Sequence, residues 1–71
     1  MNQQLIDAIR DHNIVEFDYG GHHRIAEPHV YGRHNETEQL LVYQVGGGSS
    51  SGGLPQWRRV DVAKMSGLQV S

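Results

Sequence analysis

The hydrophobic positions of the chain change period at Asn13. Before it, Leu5, Ala8, Ile9 and His12 follow the i, i+3, i+4, i+7 spacing of one helical face, and Ile6 widens the stripe. Asn2 is placed to cap the start. Arg10 and His12 fall in the last turn, where cations complement the helix dipole, and Asn13 is a residue type that tolerates a left-handed closing conformation. The spacing predicts a helix over 3–12. A helix of about ten residues is marginal alone, so Leu5, Ile6 and Ile9 must lie against the rest of the domain.

Beyond Asn13 the period is two. Val15, Phe17 and Tyr19 alternate with Glu16 and Asp18, which predicts a half-buried strand, and Gly20-Gly21 supplies the positive φ angles of a tight hairpin. The stretch from His22 to Arg33 is extended in character but contains Pro28, which has no N–H to give a ladder. A second strand that kinks near Pro28 is expected, and such a kink lets one strand turn a corner toward a closed barrel. His34-Asn35-Glu36-Thr37 reads as a turn. Leu40, Leu41, Val42, Tyr43 and Val45 form the most apolar run and predict the central strand. Residues 46–53, followed by Leu54-Pro55, are Gly/Ser-rich and predict a mobile loop over 46–55. A fourth strand follows, in which Arg58, Val60 and Val62 point to the core and Trp57, Arg59 and Asp61 point away from it. Ala63-Lys64-Met65 suits one 3₁₀ turn, Ser66-Gly67 resets the backbone, and Leu68-Gln69-Val70 is a last short strand.

Composition narrows the class. Seventy-one residues make one domain, since a chain of this size buries only about 60% of its unfolded surface and cannot divide a core in two. The absence of cysteine removes disulfides, thiolate metal sites and a Cys nucleophile, and suits a reducing cytoplasm. Residues 1–23 hold no basic segment followed by an apolar run, so neither a signal peptide nor a membrane span is expected. The formal charge of −2 argues against broad duplex binding, which depends on neutralising many phosphates. Its distribution is uneven. Seven of the eight acids and three arginines lie in residues 1–38, a balance of −4, while residues 39–71 hold Arg58, Arg59 and Lys64 against Asp61, a balance of +2. An anion-binding face is therefore expected in the C-terminal part.

Trp57, Arg58, Arg59 and Lys64 are the leading candidates, because guanidinium groups beside an aromatic suit phosphate and base recognition. Each has a plainer reading: Arg59 and Asp61 as a screened surface pair, and Trp57 as a cap on the core. Tyr43 is a further candidate. His29, Tyr31 and Arg33 share one strand face by alternation and extend the patch. The five histidines do not predict a metal, since His22 and His23 point to opposite faces and no i, i+4 pair exists. Ser49, Ser50 and Ser51 have no fixed base, so neither catalysis nor a cofactor is expected.

The element order, a helix and then five strands with a 3₁₀ turn before the last, resembles an SH3-type barrel of the Sm-like kind. Phe17-Asp18-Tyr19, Arg24 with Pro28 four residues on, Leu40-Leu41-Val42-Tyr43, and Arg58-x-Val60-x-Val62-x-Lys64-Met65 together resemble the WYL domain over residues 13–70. Gln39-Leu40-Leu41 stands where the name-giving Trp-Tyr-Leu would be, Val60 replaces a Phe, and Ala63-Lys64 replaces an Asp-Arg. WYL domains usually follow a helix-turn-helix in bacterial transcription regulators. The resemblance implies a stand-alone module sensing nucleotide-like or single-stranded nucleic-acid ligands through basic barrel residues. The competing expectation is an interaction barrel that self-associates or docks a regulatory protein.

Overall fold

The structure, a computed structural model, describes residues 2–48 and 53–71. Helix α1 (Gln3–Arg10) precedes β1 (Val15–Tyr19), β2 (His22–His34), β3 (Thr37–Gly47), β4 (Gln56–Asp61) and β5 (Ser66–Val70), with a 3₁₀ turn (Val62–Lys64) before β5. All neighbours pair antiparallel in one open sheet of order β4-β3-β2-β1-β5. The chain is thus mainly β, with one short helix, and its pairings form an open sheet where alternation and Pro28 suggested a closed barrel.

Local chemistry sets the boundaries. The Asn2 side chain accepts from Gln4 N (2.8 Å) and Leu5 N (3.3 Å), satisfying two of the orphan donors at the start of α1. The helix ends at Arg10, two residues short of expectation. His12 takes the left-handed conformation (φ 57°) that was expected of Asn13. Asn13 N bonds back to Ala8 O (2.9 Å), so the reversal falls one residue earlier. Gly20 (φ 58°) and Gly21 (φ 81°) turn the first hairpin, pairing Tyr19 with His22 and Asp18 with His23. Asn35 (φ 50°) and Glu36 (φ 66°) turn the second in the same way, with a glutamate in a conformation that its Cβ disfavours.

β2 is the strand on which the arrangement depends. Its first part pairs with both β1 and β3, and its ladder to β1 ends at Ala26, opposite Val15. Beyond that point it pairs with β3 alone, and the register slips between Pro28 and Val30. The expected disturbance at Pro28 is therefore a bulge, a site where a missing donor is tolerated. The extra residue is His29. A second slip, between Ile25 and Ala26, bulges Val45 out of β3.

Leu5 and Ala8 of α1 close over Val15, Phe17, Ala26, Leu40, Val42 and Val60, all essentially without exposure. Full burial of a side chain such as Phe17 contributes about 1.5–3 kcal/mol. Gln44 is buried with them but satisfied. Its Nε2 donates to Gly46 O (3.0 Å) and Gly48 O (2.9 Å), and its Oε1 accepts from Arg24.

These bonds bear on the segment read as a loop. Gly46 and Gly47 belong to β3, paired with Ile25 and Arg24, and Gly48 N donates to His23 O at 2.8 Å. Gly47 has φ 83°, and a Cβ there would sit 2.1 Å from His23 O, so close strand approach requires the glycine. Residues 49–52, the centre of the expected mobile loop, lie outside the described residues. The 3₁₀ turn begins at Val62, one residue before the expected Ala63, and β5 begins at Ser66 rather than Leu68. No helix among the described residues is long and apolar enough to cross a membrane.

Candidate ligand-binding face

Alternation on β4 sends Val60 into the core and Trp57 and Arg59 outward. The β3 register places Tyr43 opposite Trp57, Leu41 opposite Arg59 and Gln39 opposite Asp61. On β2, Glu27 faces Tyr43, Val30 faces Leu41 and Gly32 faces Gln39. Three rows of outward positions therefore cross three strands: Trp57–Tyr43–Glu27, Arg59–Leu41–Val30 and Asp61–Gln39–Gly32. Successive rows lie about 6.6 Å apart along a strand.

The first row is aromatic. The Trp57 ring lies 5.0 Å from Tyr43 and 4.8 Å from His29, both tilted, and the residue is 54% exposed. The second row floors a groove of about 300 Å³, with Val30, Gly32 and Leu41 below and Arg33, Gln39 and Arg59 around it. Val30 is 58% exposed, an unusual position for a branched apolar residue.

Among the described residues Arg59 has no hydrogen-bond or ion-pair partner. The surface pair with Asp61 suggested by spacing is not formed. Asp61 takes Lys64 Nζ (3.5 Å) on one oxygen and Gln39 Nε2 (3.3 Å) on the other, and its backbone N–H donates to Tyr19 Oη (3.0 Å). Lys64 consequently sits at the end of the face, tied through Asp61 to Gln39.

Two sequence candidates, Tyr31 and Arg58, lie elsewhere. The His29 bulge shifts the alternation of β2 by one residue, so His29 and Val30 are both exposed, and Tyr31 turns toward the helix. The expectation that His29, Tyr31 and Arg33 share a face is corrected on this ground. Tyr31 Oη accepts from Asn2 N (2.8 Å) and donates to Glu38, anchoring α1 to the β2–β3 hairpin. Burial pushes the Tyr31 phenol above its ordinary value, and the hydrogen bond from Tyr31 holds Glu38 below the usual carboxylate range. Arg33 remains at the groove rim, with Nη2 3.5 Å from Glu38 Oε2.

Arg58 is on the other side of the sheet, half-buried beside Val42, with Nη2 donating to Gln56 Oε1 (2.7 Å). Its inner-face companion is Arg24, 5% exposed, which donates to Tyr19 O (3.2 Å) and Gln44 Oε1 (3.3 Å) and lies over the Tyr19 ring. Burial, with the Arg58 charge second, lowers the Arg24 value.

Sequence reasoning missed the groove floor and one ion cluster. Leu41 follows from alternation once the register is known, whereas Val30 depends on the bulge. The cluster follows from the first hairpin: His23 Nε2 lies 2.8 Å from Glu16 Oε1 and Nδ1 lies 3.0 Å from Asp18 Oδ1. Hydrogen bonding to Glu16 and then to Asp18 raises the His23 value. The two-residue turn between Tyr19 and His22 was the signal that places Asp18 opposite His23. Among the described residues no three His, Cys, Asp or Glu side chains converge to hold a metal.

Compared with known proteins, the chain matches no family model, no curated protein and no solved structure. The resemblance to the WYL domain therefore rests on the sequence motifs alone, and the face described above is read on its own chemistry.

Proposed function

We propose that the protein is a non-enzymatic ligand-sensing module whose outer β2–β3–β4 face binds an anionic aromatic ligand, either nucleotide-like or a short single strand of nucleic acid. One observation carries the reading: an unpartnered guanidinium, Arg59, adjoins an exposed cluster of Trp57, Tyr43 and His29 and overlooks an open groove. Aromatic faces accept a base with about 1–3 kcal/mol per stacked base. A guanidinium free of internal carboxylates is available to a phosphate without breaking an existing pair. Arg33 and Lys64 support the same end of the face, while their partners Glu38 and Asp61 keep it from being broadly cationic.

The element order also supports relating the fold to the SH3/Sm-type barrels, and with the sequence motifs it supports a WYL-like regulatory module. Exposed Val30, Val45 and Trp57 favour a second reading, an interaction surface for a protein partner or a second copy. Titrating the Trp57 fluorescence with nucleotides and short oligonucleotides at low and high salt decides between them. Phosphate-borne affinity falls steeply with salt, and an apolar interface persists. A protein whose fluorescence ignores every nucleotide and oligonucleotide overturns the first reading.

A further inference from the structure

The outer face is chemically directional. Its first row ends in a carboxylate, Glu27, and its second row ends in the unpartnered Arg59. Between them lie the aromatic rings and the apolar groove floor. Glu27 is placed across the ladder from Tyr43, and Tyr43 in turn faces Trp57. The Glu27 side chain is about half exposed, and one oxygen lies 3.4 Å from His29 Nε2, the same imidazole that packs on Trp57. Its second oxygen has no partner among the described residues.

A carboxylate here repels a phosphate and welcomes a donor, so a ligand lying along the face must be donor-rich at the Glu27 end and anionic at the Arg59 end. A nucleotide stacked on Trp57 meets that demand only if its base presents adjacent N–H donors. Guanine does, with N1–H and the N2 amino group side by side on its Watson–Crick edge. Adenine sets the N1 lone pair next to its amino group, cytosine sets N3 next to its own, and uracil flanks one N–H with two carbonyls. A carboxylate is acceptor-only when ionised and pairs bidentately with parallel donors.

We infer that Glu27 is a specificity-determining residue of this face and that it selects guanine nucleotides, with the base on Trp57 and Tyr43 and the phosphate at Arg59. The inference rests on the reading of the face as a nucleotide site. It goes beyond that reading by naming the base and the residue that reads it.

The test measures GMP, AMP, CMP and UMP affinities by Trp57 fluorescence for the parent and for Glu27→Gln. Glu27 is a surface residue, so the variant is expected to keep the parent's melting temperature. The expected result is GMP binding at least about tenfold tighter than AMP in the parent, from charge-assisted bonds that adenine cannot make. In Glu27→Gln the preference collapses, because an amide also matches the donor and acceptor of adenine. Equal affinity of the parent for all four nucleotides, or a guanine preference unchanged in Glu27→Gln, overturns the role of Glu27 while leaving a nucleotide site intact. Absence of binding by all four overturns the nucleotide reading itself, and the inference with it.

Discussion

Two exposed, charged regions of this sheet handle their charges in opposite ways. On the first hairpin, His23 stands between Glu16 and Asp18 with a carboxylate at each ring nitrogen. On the β2–β4 face, Arg59 stands among Trp57, Leu41 and Val30 with no acid beside it, although Asp61 is its same-face neighbour on β4. In the first region both nitrogens of the imidazole are engaged, and each carboxylate gives one oxygen to the same ring. The second leaves a cation, aromatic rings and apolar surface open together, a combination that folding alone does not reward. Partnering, rather than the number of charged residues, separates the surface that belongs to the fold from the surface available for recognition.

The contrast breaks most severely beneath the first region. Phe17 lies on β1 between Glu16 and Asp18 but points into the core without exposure. Phe17→Ala is expected to cost about 3–5 kcal/mol, a large share of the about 5–15 kcal/mol typical of a small domain. Urea denaturation followed by circular dichroism measures it, and a loss below about 1 kcal/mol contradicts the described core. On the second region the effect moves from folding to binding. Arg59→Ala should leave stability within about 0.5 kcal/mol and lower nucleotide affinity about tenfold at low salt, the scale of one charge-assisted contact. Unchanged affinity removes Arg59 from the site.

The two hairpin turns sharpen the comparison further. The first uses Gly20-Gly21, whereas the second places Asn35 and Glu36 at positive φ beside the groove. Glu36→Gly should raise stability by about 1 kcal/mol, since a side chain in the left-handed region costs about 1–2 kcal/mol and glycine returns part of that as chain entropy. Thermal melting reads the gain.

The smallest effect is the pH response of the first region, where water screens the exposed cluster. The folded-state value of His23 is raised above its ordinary 6.5 by Glu16 and Asp18. Protonated His23 binds both carboxylates, so its contribution is fully present below 6.5 and is lost as pH rises through the raised value. His23→Gln should flatten the melting temperature over that window. A parent slope that survives in the variant assigns the dependence to another group.

Much of this was legible in the letters. Asn2 as a cap, the Gly20-Gly21 hairpin, the inward set of β1 and the outward Trp57 and Arg59 all follow from period and turn chemistry, because each is decided by neighbours in sequence. The fate of Tyr31 was not. Its side is set by the slip against β3 at His29, a pairing between residues distant in sequence. Alternation alone assigned Tyr31 to the face where Val30 is instead exposed. The open guanidinium of Arg59 was hidden for a similar reason: Asp61 is two residues away, but Lys64 and Gln39 reach it from other elements. The Gly-rich run misled in the opposite direction, since composition suggested a loop from Gly46 while buried Gln44 holds Gly46 and Gly48 in place.

His29 also couples two features that share no contact surface in sequence. It is the added residue that resets the phase of β2, so Val30 floors the groove while Tyr31 ties down the start of α1. A chain shortened by that one codon would close the bulge: Val30 already pairs with Leu41 and Tyr31 with Leu40, so both would keep their sides, and the loss would fall on the imidazole packed against Trp57. Absorbing His29 into the ladder with no residue removed would instead turn Val30 inward and Tyr31 outward, so the bulge itself holds the groove floor and the helix anchor in phase, whereas substitutions at Val30 or Tyr31 can alter one and spare the other.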